Sequence, residues 1–183
     1  MCSSDLPLVP VLVDPIDGSV TVNIPYVTVD NAGVASDPAG AALPFIGLIL
    51  AGNVYNDLNG MNDGNMVDGS GIGSASGDQL YVSLIAGGAV VQTAAVNPDG
   101  TSTFLNLDNT LTYSAVLTTV NTPAGNPAPA PALPSGWVNT GEINNDAANS
   151  LAGNDGVTDG IISIGVIASD ETNVNFGIEQ APT

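Results

Sequence analysis

The sequence contains no lysine, no arginine and no histidine, whereas it has 18 aspartate and glutamate residues and a formal net charge of −18. Without lysine there is no amine for a Schiff base, and without histidine there is no imidazole for a Ser-His-Asp or Cys-His nucleophile. Nucleic acid is excluded as a partner, because its binding depends on basic residues that displace counterions. Anionic membrane surfaces repel such a chain for the same reason.

Other features are scarce as well. The single cysteine, Cys2, has no second cysteine with which to form an internal disulfide, and aromatic residues make up only 4% of the chain. No apolar run approaches the ~20 residues of a membrane span, so we expect no membrane insertion. Hydrophobic residues nevertheless make up 44% of the sequence, which is too many for a disordered acidic tail. The 183 residues therefore suffice for one full domain and part of another.

Residues 1–46 form an apolar segment that contains several prolines. Residues 1–6, Met-Cys-Ser-Ser-Asp-Leu, resemble the translation of a sequencing adapter, and the alternative is the mature N-terminus of a lipoprotein. Residues 20–29 alternate in the manner of a strand, and Pro25 predicts an edge position for it. We expect residues 1–46 to be an extended remnant of a preceding domain or a linker. The alternative is a strand contributed to a neighbour or to the main domain.

Residues 47–183 carry short apolar segments separated by clusters of Gly, Asn, Asp and Pro. No segment has the spacing of an amphipathic helix. A Pro-rich loop at 121–135 and a polar stretch at 139–160 interrupt the series. The pattern predicts an all-β domain, an antiparallel sandwich with long loops. The predicted strands are residues 48–55, 79–86, 89–96, 101–105, 111–120, 137–138, 161–167 and 174–178.

The densest polar segment is residues 53–69, in which Asp57, Asn59, Asp63 and Asp68 occupy positions 1, 3, 7 and 12 of a twelve-residue window. This spacing suits calcium, which takes about six to eight oxygen ligands. Grouped carboxylates repel one another, and a divalent cation can balance them where no basic side chain exists. The window is not an EF-hand loop, because a strand precedes it and its sixth residue is not glycine. The alternative is a turn rich in Asn and Asp that binds no ion.

A second acidic group comprises residues 142–146, 154–156 and 159–160. It either contributes to the same metal site, forms another one, or is a solvated loop, and we favour the solvated loop. Aspartates 99 and 108 and residues 170–171 are interpreted as turn residues.

Catalysis by paired carboxylates is possible in principle, as in glycosidases, but such clefts are lined by aromatic residues. Trp137 is the only tryptophan, and we expect it to anchor the core or a sheet edge. Residues 68–70 read Asp-Gly-Ser, which is not the residue order of an aspartic protease. We therefore expect no enzymatic activity.

Several motifs occur together in an order that resembles one family. The sequence Gly-Asn-Val-Tyr-Asn-Asp-Leu-Asn-Gly at 52–60 is similar to the opening strand and loop of SdrD B-like domains, the Cna B-type repeats of large bacterial secreted and cell-surface proteins. The resemblance covers residues 48–180. The further matching segments are 97–107, 111–120, the Pro-rich loop with 134–142, 154–156 and 173–179.

The resemblance implies a Greek-key sandwich of the Ig-like or prealbumin-like kind, repeated in tandem, extracellular or on the cell surface. It implies calcium ligands at Asp57, Asn59, Asp63 and Asp68, although the spacing at the last two departs from the shorter family pattern. Neighbouring domains of the same chain are the expected partners, together with an adhesive ligand of unknown identity. The Lys–Asn isopeptide bond of some relatives is excluded, because the chain has no lysine.

Three functions follow as hypotheses. The first is a structural or adhesive module stiffened by calcium. The second is a self-assembling filament subunit in which residues 7–29 are donated as a strand to the next molecule. The third is a carbohydrate-binding or hydrolytic domain that depends on Trp137.

Overall fold

The computed structural model describes residues 11–13, 20–26, 39–45, 47–60, 67–144 and 157–181. These residues confirm the predicted all-β class. None of the helical turns in this part of the chain has the length and apolar character needed to cross a membrane. The strands in chain order are β1 Val11–Val13, β2 Val20–Tyr26, β3 Ala39–Phe45, β4 Leu48–Asn56, β5 Ser70–Gly71, β6 Ser74–Ala75, β7 Asp78–Gln79, β8 Tyr81–Ala86, β9 Ala89–Ala95, β10 Thr101–Leu107, β11 Thr112–Thr118, β12 Trp137–Ile143, β13 Ile161–Val166 and β14 Asn175–Gln180.

The chain divides into two compact units, Met1–Gly47 and Leu48–Thr183. In the first unit β1, β2 and β3 form an antiparallel sheet with β2 in the centre. The prediction that Pro25 places its strand at an edge is therefore wrong for the strand as a whole. The described pairing of β1 ends at Val22, however, so at Pro25 only β3 lies alongside. A residue without an N–H is tolerated there, because only one side of the strand needs a ladder bond.

The second unit contains two larger sheets. The first has the strand order β10-β4-β14-β12 with β5 beside the end of β4, and the second has the order β13-β11-β8-β9. All neighbours are antiparallel except β14 and β4, which are parallel with Phe176 opposite Val54. The predicted antiparallel sandwich is therefore formed with one exception, the parallel pair of β4 and β14. Parallel pairing is available to these two strands because more than a hundred residues connect them.

One apolar core lies between the two sheets. Alternate residues of β4 and β14 point into it, among them Leu50, Val54, Phe176 and Ile178, each at most 1% exposed. The other sheet contributes the buried side chains Val82, Leu84, Tyr113, Ala115, Leu117, Ile162 and Ile164, and Leu80, which directly precedes β8, adds to them. Inward-facing residues from two facing sheets are the defining feature of a β-sandwich.

A second, smaller apolar cluster lies on the outer face of the β8–β11 sheet. Its buried members are Ile85, Val90 and Val116. The Pro-rich loop binds β9 through hydrogen bonds between Val90 and residues 125 and 126, and it reaches β11 where the Ala132 N–H donates to Leu117 O. The loop is therefore anchored to both β9 and β11. Its prolines have no N–H, so they leave no backbone donor to be satisfied between these anchors.

The largest difference from the predicted strands is β12. We expected only residues 137–138 to be extended, but β12 continues to Ile143 because it pairs with β14. The polar residues Asn139, Thr140 and Glu142 are thus strand residues. Strand formation there depends on the partner strand more than on local propensity.

Candidate functional site

Asp57 lies directly after β4, at the start of the predicted metal-binding loop. Its backbone N–H donates to Ile178 O at 2.9 Å, which continues the β4–β14 pairing by one residue. Its side chain is 0% exposed, and its Oδ2 accepts a hydrogen bond from the Thr140 hydroxyl at 3.0 Å. The first carboxylate of the predicted metal-binding loop is therefore buried in the folded protein.

Gly177 makes room for this contact. A Cβ atom at position 177 would lie 2.5 Å from Thr140 Oγ1 and 2.6 Å from Asp57 Oδ2. Its neighbours Phe176 and Ile178 point into the core, so Gly177 presents the opposite face of β14. The glycine of the Phe-Gly-Ile ending is thus required because the Asp57 and Thr140 side chains meet above its backbone.

The two ends of the loop are held together by strand pairing. Tyr55 lies opposite Gly71 and Asn56 lies opposite Ser70. Gly69, with φ of +111°, passes so close that a Cβ there would be 3.6 Å from Asp57 Cα. The segment after Asp57 therefore returns beside it, and Asp68 is brought back towards the start of the loop.

The structure places the four predicted ligands in different environments. Asp57 is fully buried, Asp68 is half-buried and Asn59 is exposed, while Asp63 lies outside the described residues. Within the described ranges, no group of three or more acidic or thiol side chains is assembled that could hold a metal ion. Asn56, which directly precedes Asp57, has a buried Oδ1 with no hydrogen-bond partner in the protein. Calcium at these four positions remains a prediction.

Glu142 is the second fully buried carboxylate in the described part of the chain. It lies opposite Phe176 on β12, and its Oε1 accepts a short hydrogen bond from the Gly160 N–H. The interpretation of this residue as part of a solvated loop is wrong. The sequence carries a weak signal for the strand in the β-prone residues Trp137, Val138 and Thr140.

The predicted turn aspartates are confirmed as turn residues. Asp99 Oδ1 accepts hydrogen bonds from the N–H and hydroxyl of Thr101, and Asp108 Oδ1 accepts the same two bonds from Thr110. In each case the threonine hydroxyl is the main cause that lowers the pKa of the aspartate, and the backbone N–H adds to it. These carboxylates are satisfied on the surface without a cation.

The segment of Asp170 and Glu171 is more than the solvated turn that we expected. Asp170 Oδ1 accepts the Ile49 N–H, and the backbone of Glu171 bridges β4 at Leu50. Burial raises the pKa of Glu171, and its Oε2 has no hydrogen-bond partner in the protein. This carboxylate is thus destabilising in its ionised form.

Trp137 begins β12 and packs against the core, as its expected role as an anchor requires. Its Nε1–H donates to Ser76 Oγ at 3.0 Å. It also lines an open cleft of about 360 Å³, which is bounded by residues 131–133 of the Pro-rich loop and by Asn139, Thr158 and Asp159.

Replacing Thr140 with valine tests the buried contact. The variant keeps the shape of the side chain but removes the hydroxyl that donates to Asp57, so we expect a loss of about 1–3 kcal/mol in the free energy of unfolding. Urea denaturation measures the change. Thr110→Val is the matched control, because it removes the same donor from the exposed Asp108, and we expect less than about 1 kcal/mol. Equal losses in both variants would show that burial of Asp57 is unimportant.

Glu171→Gln tests the effect of its raised pKa on stability. Because the folded-state pKa lies above the unfolded value, the stabilising effect of protonation is full below about pH 4 and is lost as the pH rises through the folded pKa. We expect the variant to be more stable than the parent at pH 7 by a few tenths of a kcal/mol, since solvent screens this partly exposed group. The difference should vanish below about pH 4.

Glu179→Gln is the control for this experiment, because it makes the same chemical change and removes the same single negative charge. Urea denaturation between pH 3 and pH 7 compares the two variants. A gain of equal size in Glu179→Gln would assign the effect to overall charge and contradict the local explanation.

Comparisons of the chain with protein-family models, with curated proteins and with solved structures return no match. The likeness to SdrD B-like domains therefore rests on the sequence motifs alone, and every function derived from it is a proposal.

Proposed function

We propose that the chain is a non-catalytic structural module of a secreted or cell-surface bacterial protein, built as a Greek-key sandwich of the SdrD B-like kind and stiffened by calcium. The observation that carries the proposal is the parallel placement of the first and last strands of the second unit, β4 and β14.

Parallel neighbours start at the same end of a sheet. The chain enters β4 at Leu48, whereas it leaves β14 at Gln180, beyond the level of Asn56. At about 3.3 Å per residue, entry and exit are separated by roughly 33 Å along the sheet. A domain whose two connections emerge at opposite ends adds length when it is placed in series with its neighbours, which is what a spacer requires.

Calcium is supported by the electrostatics of Asp57. Burying an ionised carboxylate is costly unless hydrogen bonds or an opposite charge compensate it. These 183 residues contain no lysine, arginine or histidine, so no side chain among them can supply the opposite charge and a dissolved cation can. Asp57, Asn59, Asp63 and Asp68 would hold the ion through oxygen atoms, the ligands that calcium prefers.

The alternative in which residues 7–29 are donated to another molecule requires more rearrangement. Strand β2 already pairs with β1 and β3, so donation would first have to break that sheet. The spacer hypothesis needs no such change.

Distances between spin labels test the spacer geometry. In a Cys2→Ser background, labels at Asn109 and Gln180 lie at opposite ends of the sheet, because Asn109 follows the strand residue Leu107 that pairs with Leu48. Labels at Ser70 and Gln180 lie at the same end. We expect the first distance to exceed the second by at least about 10 Å. Similar distances would contradict the proposal that the chain enters and leaves at opposite ends.

Thermal melting tests the calcium component. An ion that binds only the folded loop stabilises it by about 1–3 kcal/mol at ten to a hundred times its Kd, so the melting temperature should rise with millimolar calcium and fall with chelator. Asp57→Asn should abolish the response, and Asp78→Asn, which neutralises an exposed hairpin carboxylate, should retain it. A parent protein that melts at the same temperature with calcium and with chelator would refute the metal component, while the label distances would still test the spacer.

A further inference from the structure

The cleft beside Trp137 has the composition of a binding site. It lies where the Pro-rich loop, the first half of β12 and the turn before β13 meet, and its volume of about 360 Å³ falls within the range of small-ligand sites. Its apolar lining includes Pro131, Leu133 and the tryptophan. Its polar side chains are those of Asn139, Thr158 and Asp159.

The cleft contains one carboxylate, Asp159, together with the amide of Asn139 and the hydroxyl of Thr158, which can each donate as well as accept. Asp159 Oδ1 accepts the Ile161 N–H at 3.0 Å, and a carboxylate with about four acceptor positions retains capacity for further donors. Asn139 Oδ1 is buried and has no hydrogen-bond partner in the protein. The indole N–H of Trp137 is directed to Ser76, so the tryptophan offers its ring and not a donor.

We propose that this cleft binds a basic side chain, preferably arginine, of a partner protein. A guanidinium group has donors only, stacks on aromatic rings and bonds carboxylates through two N–H groups at once. The net charge of −18 attracts a cation to this surface from a distance. Because these 183 residues contain neither arginine nor lysine, the ligand does not come from a second copy of them.

Two other occupants fit less well. A neutral sugar gains only ordinary hydrogen bonds from Asp159, whereas a guanidinium group also gains the attraction between opposite charges. A calcium ion needs about six to eight oxygen ligands, whereas Asp159 is the only carboxylate among the lining residues that the structure describes. The proposal adds a partner class to the module proposed above and does not depend on calcium at Asp57.

The single tryptophan makes the test direct, since it lines this cleft and no other tryptophan contributes to the fluorescence. The full chain is titrated with N-acetyl-arginine amide in the presence of chelator, with N-acetyl-citrulline amide as the uncharged counterpart of similar shape. We expect a saturable change with the arginine compound at millimolar concentration and none with the citrulline compound.

Asp159→Asn should weaken the arginine interaction about tenfold, the usual loss for a charged hydrogen bond. Asp99→Asn is the matched control, because Asp99 also caps the N–H two residues ahead and lies in an exposed turn. It should leave the binding unchanged. Urea denaturation verifies that both variants remain folded.

Three outcomes would overturn the proposal: an equal response to citrulline, an equal loss in Asp99→Asn, or no response to arginine in the folded parent. A saturable response to methyl glucoside instead would assign the cleft to sugars. A response to calcium that is lost in Asp159→Asn would assign it to a metal ion. Binding of arginine without any effect of calcium on melting would separate this inference from the calcium component of the proposed function.

Discussion

The absence of every cationic side chain is the constraint on which this structure depends. Eighteen carboxylates must be accommodated by hydrogen-bond donors, by solvent or by dissolved ions, because no ion pair with lysine or arginine is available. Asp99 and Asp108 are satisfied by local threonines at the surface. Asp57 and Glu142 are buried and receive their donors from distant parts of the chain, namely Thr140 and the backbone at Gly160. The buried carboxylates therefore tie loops and strands together.

The parallel pair β4–β14 connects this electrostatic arrangement with the architecture. It places Asp57 beside Ile178 and above Gly177, where Thr140 can reach the carboxylate from β12. The same pairing sends the incoming and outgoing chain to opposite ends of the sheet. One structural feature thus underlies both the proposed spacer geometry and the burial of the residue proposed to attract calcium.

Much of the fold was predictable from local patterns. Alternating apolar residues bounded by Gly, Asn, Asp and Pro predicted most strands, and the Asn-Pro-Asp-Gly turn at 97–100 is formed as expected. Strand β12 was largely missed, since its residues 139–142 are polar and pair with a strand more than thirty residues later. The candidate site likewise has one part that was predictable from the sequence and one part that was not. Asp57 was singled out by its motif, whereas its partner Thr140 lies 83 residues away, a distance at which no local pattern carries information.

The sequence by itself determined the all-β class, the turn positions and the exclusion of chemistry that needs lysine, arginine or histidine, because these follow from residue types and short-range periodicity. Only the tertiary structure decided which carboxylates are buried, which strands lie parallel and where the Pro-rich loop and Trp137 form a cleft. These features depend on contacts between segments that are distant in the chain. Such contacts are selected by packing of the whole core and not by any one segment.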